Sequence, residues 1–233
     1  LAGAAYLCVL GVVLIVQSRV SQIEPLPISQ LQQIRGVAGV TAVTPMIIFH
    51  GTFRTQQQRV QAFGVDPDGF VAANPGAKIP PELIAALKRT RNGVLMPRNM
   101  AAAYGLKVGD TLPLRSMFWA NRADGTQTWP LKVVGVYDPE GADPIFSTAS
   151  VVNFSYVDEG RTRQNNTTSI YLLRIAEPDQ AAMVGQAIDR LFANSPHETK
   201  TLSERQLAQD SMKQIGDLGF VVRGVVGAMF FAL

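Results

Sequence analysis

Two histidines, one cysteine and 18 carboxylates are the side chains from which a catalytic or metal-binding centre would have to be assembled. His50 and His197 have no Cys or His partner at metal-ligand spacing, and both read as ordinary surface or loop residues. Cys8 cannot pair within the chain. Asp66-Pro67-Asp68-Gly69 begins like a calcium loop but lacks the glutamate at the twelfth position, so it reads as a turn. The sequence has no GxxxxGK[ST], and with it no backbone cradle for nucleotide phosphates; HExxH, GxSxG and SxxK are also missing. Asn153, Asn165 and Asn166 each open an N-x-[ST] sequon, informative only in a eukaryotic secretory setting that nothing else argues for. The expectation is a chain with no catalytic residues, no metal ligands and no cofactor of its own.

Recognition by contact is the remaining chemistry, and two surface features offer it. Between Leu83 and Gly109 stand five basic residues (Lys88, Arg89, Arg91, Arg98, Lys107) and no acidic one: either a solvated helix face or a contact for lipid headgroups or an acidic partner. Met117-Phe118-Trp119 puts three large apolar side chains in a row on an expected strand, so at least one must point away from the sheet's own core. They either pack under the hairpin loop or form a partner contact.

The elements that must position these residues are framed by two apolar ends. The 233 residues include 39 charged side chains, all between Arg19 and Arg223. That composition excludes a disordered chain and a disulfide scaffold, and a net charge of +3 argues against a nucleic-acid binder. LAGAAYLCVLGVVLIV opens the chain, and as a helix it would cover about 24 Å of a hydrocarbon core of roughly 30 Å. A membrane helix cut at its start, a signal-peptide core and a buried core helix or strand all fit it. The far end favours the first. Ile215, Leu218, Val222, Val225 and Met229 form a helical stripe, and every position beyond Gly224 is apolar, as lipid on the outer face requires. Gly224, Gly227 and Ala228 make one face of that helix nearly smooth, a candidate for helix packing. The expected organisation is therefore a first transmembrane helix over 1–17, an extracytoplasmic domain over 18–214 and a second transmembrane helix over 215–233.

The middle has the grammar of a mixed α/β, or α+β, domain. Ser29 and Gln32 are spaced as a capping box before a short helix ended by Gly36. Strands are expected over 37–53, where Pro45 suggests an edge or bulge, and over 59–65. Pro80 and Pro81 open a helix, a short strand over 94–96 precedes a helix over 97–104 ended by Gly105, and Asp124-Gly125 joins strands over 111–119 and 128–137 as a hairpin subdomain. A strand over 169–175, a helix after Pro178 with Val184, Ile188, Leu191 and Phe192 buried, and a strand over 198–202 follow. This last unit and the piece near 29–50 are expected to share one sheet. Ser203 and Gln206 are again spaced as a capping box, and Leu207, Ile215, Gly216 and Gly219 belong to a helical stalk, a candidate coupling element from the domain to the bilayer.

VLMPRNMAAAYGLKVGDTLPL, followed by PLKVVGVYD, resembles the MacB-like periplasmic core domain, in which a short helix leads into a Gly-Asp turn and a hairpin. The ending from NSPHETKTLSERQ to the last residue resembles the approach to the second membrane helix of FtsX-like ABC-transporter permeases. The resemblance implies a permease subunit of the bacterial inner membrane, with its main domain in the periplasm or outside. It also implies a dimer with a second permease subunit and a cytoplasmic ABC ATPase that binds ATP and magnesium. In some branches a periplasmic adaptor protein is a further partner, with export or lipoprotein extraction as output. In the FtsX-like branch the same architecture activates a periplasmic partner without transport. Membrane lipid is an expected partner and nucleic acid is not.

Overall fold

The computed structural model describes residues 12–21, 24–138, 148–203 and 206. In chain order the first half holds β1 (Val12–Ser18), β2 (Leu26–Pro27), α1 (Gln30–Arg35), β3 (Val40–Ile48), β4 (Gly51–Phe53), β5 (Thr55–Val60), β6 (Ala62–Val65), α2 (Pro67–Ala73), α3 (Pro81–Arg89), β7 (Gly93–Pro97) and α4 (Arg98–Tyr104). The second holds β8 (Thr111–Ser116), β9 (Thr128–Tyr137), β10 (Ser150–Asn153), α5 (Phe154–Gly160), β11 (Thr167–Thr168), β12 (Ile170–Ile175), α6 (Ala181–Leu191) and β13 (Thr199–Ser203). The described strands form one mixed sheet in the order β13-β1-β12-β3-β6-β10-β7-β9-β8-β4-β5, and β11 pairs with β2 apart from it.

The sequence reading fails first at β1. Val12–Ser18 is a strand, antiparallel to β12 on one side and to β13 on the other, so 12–17 does not belong to a membrane helix. Its β-branched residues Val12, Val13, Ile15 and Val16 favour the extended backbone. Leu14 and Val16 enter one core and Ile15 the opposite one, each at most 2% exposed. A strand buried on both faces reads as a continuous apolar run, which hydropathy alone cannot separate from a membrane segment. The other part of the expected first helix, 1–11, and the expected second helix over 215–233 lie outside the described residues. Among the described residues no helix is long and apolar enough to cross a membrane.

Helices cover both faces of this part of the sheet. On one face Ile34 of α1, and Val184 and Ile188 of α6, pack with Leu14, Val16, Val43, Tyr171 and Leu173. On the other, Phe70 of α2 and Ile84 and Leu87 of α3 pack with Ile15, Met46, Val65, Leu95, Val151 and Leu172. β12 lies beside β3 with Leu173 opposite Val43, so the two distant sequence pieces share the sheet as expected. Pro45 sits where β3 is paired with β12 alone, because the ladder to β6 begins at Met46. That is the edge-like position its missing N–H demands.

The other half of the sheet closes on itself. β3 continues into β4 and β5 returns into β6, so the two pairs are inner and outer parts of one long hairpin turning at Arg54 (φ 54°). From β6 the order runs through β10, β7, β9 and β8 back to β4. At the closing contact a Cβ on Gly51 would lie 2.4 Å from the Arg115 carbonyl oxygen, so only glycine fits. Phe49, Phe53, Trp129, Leu131, Val133, Val152 and Val157 fill the enclosed core, with Trp129 edge-on to Phe49 (5.0 Å) and Tyr156 (5.6 Å).

Local signals fared unevenly. The hairpin at Asp124-Gly125 (Gly125 φ 73°) and the stop at Gly105 (φ 64°) are as expected. Asp66 is not part of a turn that merely ends a strand. Its carboxylate accepts from the Gly69 N–H at 2.7 Å and caps α2, with Pro67 in the first turn. Ser29 makes no side-chain cap on α1, and Leu191 is 52% exposed rather than part of the buried stripe of α6.

Candidate functional site: paired exits and an apolar lip

The register of β1 and β13 decides where a neighbouring segment can act on the domain. Leu14 lies opposite Ser203 and Ser18 opposite Thr199, so the chain enters and leaves the sheet side by side at one end. β13 is held from a second direction by Asp189 of α6. Its carboxylate accepts from the hydroxyls of Thr199 (3.0 Å) and Thr201 (2.8 Å) and from the Thr201 N–H (3.1 Å). At the opposite end of the pair the Arg19 N–H donates to the Glu198 carbonyl (2.9 Å), and the two side chains form an ion pair at 3.4 Å.

The capping box at the exit is made. The Gln206 N–H donates to Ser203 Oγ at 3.3 Å, and Gln206 Oε1 accepts from the Ser203 N–H at 2.9 Å and from its hydroxyl at 3.1 Å. The side chain of the last residue of β13 thus caps Gln206, which is helical. The candidate stalk residues Leu207, Ile215, Gly216 and Gly219, and the candidate packing residues Gly224, Gly227 and Ala228, lie outside the described residues.

Met117, Phe118 and Trp119 are not on a strand: β8 ends at Ser116 and the three form a lip over the closed half. Met117 is 60% exposed and Phe118 36%. Trp119 is an anchor, not a third exposed side chain. Its indole N–H donates to the Ile48 carbonyl (3.2 Å), its carbonyl accepts from the Trp129 indole (3.0 Å), and the Arg161 guanidinium lies over its ring at 4.8 Å. The Met117 N–H donates to the His50 carbonyl at 2.9 Å. A cleft of about 400 Å³ opens beside the lip between Ile48, Phe118, Arg163 and Ser169.

Sequence reasoning missed what holds the lip. Arg161, 1% exposed, pairs with Asp158 at 2.5 Å and donates to the Thr167 carbonyl (2.7 Å) and hydroxyl (3.1 Å), while its Nε has no hydrogen-bond partner. Burial pulls the Arg161 pKa down and Asp158 pushes it back up. Their separation by three residues was visible in the sequence, but nothing there distinguishes a buried pair from a surface one. His50, read as an ordinary surface or loop residue, is partly buried: the Ala62 N–H donates to its Nδ1 at 3.1 Å, and desolvation lowers its pKa below the ordinary 6.5.

The basic run is largely neutralised by acids from elsewhere in the chain. Lys88 pairs with Asp68 (2.6 Å), Arg91 with Glu159 and Arg98 with Asp138 (3.5 Å). Among the described residues no group of three or more His, Cys, Asp or Glu is placed to hold a metal ion.

The lip and the exits stand at opposite ends of β3. Val12 is opposite Ile175, and Ile175 opposite Val40, so Val40 marks the exit level. Ile48, which holds Trp119, lies eight residues further along, about 26 Å at 3.3 Å per residue. The sheet is thus entered and left by two adjacent strands at one end and has the exposed Met117 and Phe118 at the other. Residues 8–191 match the family model described as the MacB-like periplasmic core domain. The chain belongs to that family. The match begins within the apolar stretch that the sequence reading gave to lipid, in agreement with β1 as part of the MacB-like domain. The fold is also that of the periplasmic region of MacB from Actinobacillus actinomycetemcomitans (TM-score 0.56, 14% identity, covering 89% of this chain and 94% of that one). The extracellular domain of the noncanonic ABC-type transporter YknZ from Gram-positive bacteria is similar as well (TM-score 0.54, 15% identity, 82% and 99%). No curated protein sequence matches this chain. The chain thus carries a MacB-like periplasmic core domain, as the resemblance in its sequence implied.

Proposed function

We propose that this chain is the permease part of an ABC system in which ATP hydrolysis by a cytoplasmic ATPase moves the extracytoplasmic domain, for export or extraction of a substrate. The observation that carries this reading is the pairing of the two exits. A shift of the segments before Val12 and after Ser203 is delivered to two hydrogen-bonded neighbours at one end of a sheet packed on both faces. Tightly packed sheets transmit such a shift as a rigid body, because their interiors are not continuously deformable. The chain's part is mechanical. ATP and magnesium belong to the partner ATPase, a second permease subunit completes the dimer, and an adaptor protein joins in branches that use one. The placement is the bacterial inner membrane, with this domain on its outer side. An FtsX-like scaffold that activates a periplasmic partner without transport would use the same lever, and the partner that co-purifies with the chain distinguishes the two.

The test interrupts the path beyond Ser203. In the helical stalk that the sequence predicts there, Gln209→Pro would remove an N–H and clash with the preceding turn, at a cost of about 3 kcal/mol to that helix. ATPase activity of the assembled complex is expected to persist while export or partner activation is lost; full output in cells would refute the lever. Sidedness has its own check. Thr126 is exposed in the hairpin loop, and Thr126→Cys in a Cys8→Ser background is expected to react with a membrane-impermeant thiol reagent in intact spheroplasts. Labelling only after lysis would place the domain on the cytoplasmic side.

A further inference from the structure

The lip differs from the rest of the surface in how its charges are arranged. Met117 stands between two clefts: one reaches Phe118, Ile48 and Arg163, and the other, about 330 Å³, is lined by Thr52, Gln56, Arg59, Arg115 and Gln127. Among the described residues that line them, both contain arginine and neither contains a carboxylate. No acidic residue occurs from Pro25 to Val65 or from Thr111 to Ala123, the stretches that supply most of this end of the molecule. Among the described residues, Arg59, Arg115 and Arg163 are exposed and form no ion pair, whereas Lys88, Arg91 and Arg98 each have an acidic partner. Beneath this surface Trp119 and the buried Arg161–Asp158 pair fix the backbone of the two loops that carry Met117, Phe118 and Arg163. The surface is therefore preorganised, apolar at its centre and cationic at its rim.

We propose that this lip is a docking surface for an acidic, apolar segment of another extracytoplasmic polypeptide. Its Leu- or Phe-like side chains would cover Met117 and Phe118, and its carboxylates would meet Arg59, Arg115 and Arg163. Central apolar anchors within a charged rim are how compact protein interfaces divide affinity and specificity. Arginine suits carboxylates because its guanidinium can donate to both carboxylate oxygens at once. Two other occupants fit less well. A second copy docked through the same face would set arginine against arginine across the two-fold axis. Lipid of the membrane that the exits lead to is disfavoured because the lip lies about 26 Å along β3 from the exit level.

The proposal is independent of ATP-driven motion, so its test uses the full chain in detergent without any ATPase. The probe is a fluorescein-labelled peptide, Glu-Leu-Glu-Phe-Glu-Leu, followed by anisotropy at low and at 0.5 M salt, beside the same peptide with Lys in place of Glu. Saturable binding of the acidic peptide is expected, with about tenfold loss for Phe118→Ser and for Arg115→Glu/Arg163→Glu, marked weakening by salt, and no change for Arg89→Glu on the basic run. Equal binding of the lysine peptide, insensitivity to the lip variants, or no saturable binding up to millimolar peptide overturns the proposal. So does a concentration-dependent dimer abolished by Phe118→Ser, or lip-dependent binding to phosphatidylglycerol vesicles in place of the peptide. Loss of transport in Gln209→Pro with peptide binding intact would bear on the lever alone.

Discussion

The exit end and the lip end are both rich in apolar side chains, yet they are built on opposite principles. At the exit end β1 has a hydrogen-bonded strand on each side and a helical layer on each face, so Leu14, Ile15 and Val16 are sealed. At the lip end the sheet curls until β8 meets β4, and the interior is filled by Phe49, Phe53 and Trp129. Met117 and Phe118 remain outside that closed core. The first arrangement suits a part that receives force and the second a part that presents a surface. What separates them is the availability of backbone partners and a second packing layer, not hydropathy.

That contrast can be broken most severely at β1. Val16→Asp places a carboxylate in the apolar core formed with Leu14, Val43 and Leu173, and a loss of more than about 4 kcal/mol is expected in urea unfolding. Phe118→Ser, an equally drastic change in polarity, is expected to cost no more than about 2 kcal/mol because the side chain is already 36% exposed. Next in size is the support of the lip. Arg161→Met leaves Asp158 without its cation and removes the group stacked on Trp119. About 3 kcal/mol should be lost, with a red shift of tryptophan emission, and the double variant Arg161→Met/Asp158→Leu should recover part of it.

A smaller effect at the lip end depends on pH. Burial holds the His50 pKa below its unfolded value of 6.5, so the folded state takes up a proton there less readily than the unfolded chain. The stability that His50 contributes is present above pH 6.5 and is lost as pH falls through the folded pKa. The slope from this one proton cannot exceed about 1.4 kcal/mol per pH unit. His50→Gln is expected to flatten the unfolding free energy between pH 6.5 and 5; an unchanged pH profile would show that other groups set it.

How much of this was readable beforehand follows from where each signal resides. Turn and cap residues act locally, so the hairpin at Asp124-Gly125, the stop at Gly105 and the box formed by Ser203 and Gln206 were legible. The strand identity of Val12–Ser18 was not, because its periodicity vanishes when both faces are buried. The closure of β8 onto β4 depends on a bend in a long hairpin, which no local pattern encodes. At the lip, the row Met117-Phe118-Trp119 announced a surface feature. Trp119's role as anchor depends on Arg161, 42 positions along the chain, and on the Ile48 carbonyl. The acid-free run from Lys88 to Lys107 shows the converse: charge counted along the chain overstated a patch that Asp68, Glu159 and Asp138 largely neutralise in space.

The central claim is that the domain moves as one lever from its paired exits to the lip. Pulsed EPR distances in the assembled transporter test it, with spin labels at Ala176→Cys beside the exit level and at Met117→Cys on the lip, in a Cys8→Ser background. The account predicts that the distance between the two labels within one subunit is the same in the nucleotide-free and ATP-bound states. The distance between the Met117→Cys labels of the two subunits should change. An internal distance that shifts with ATP while the intersubunit distance stays fixed would contradict it.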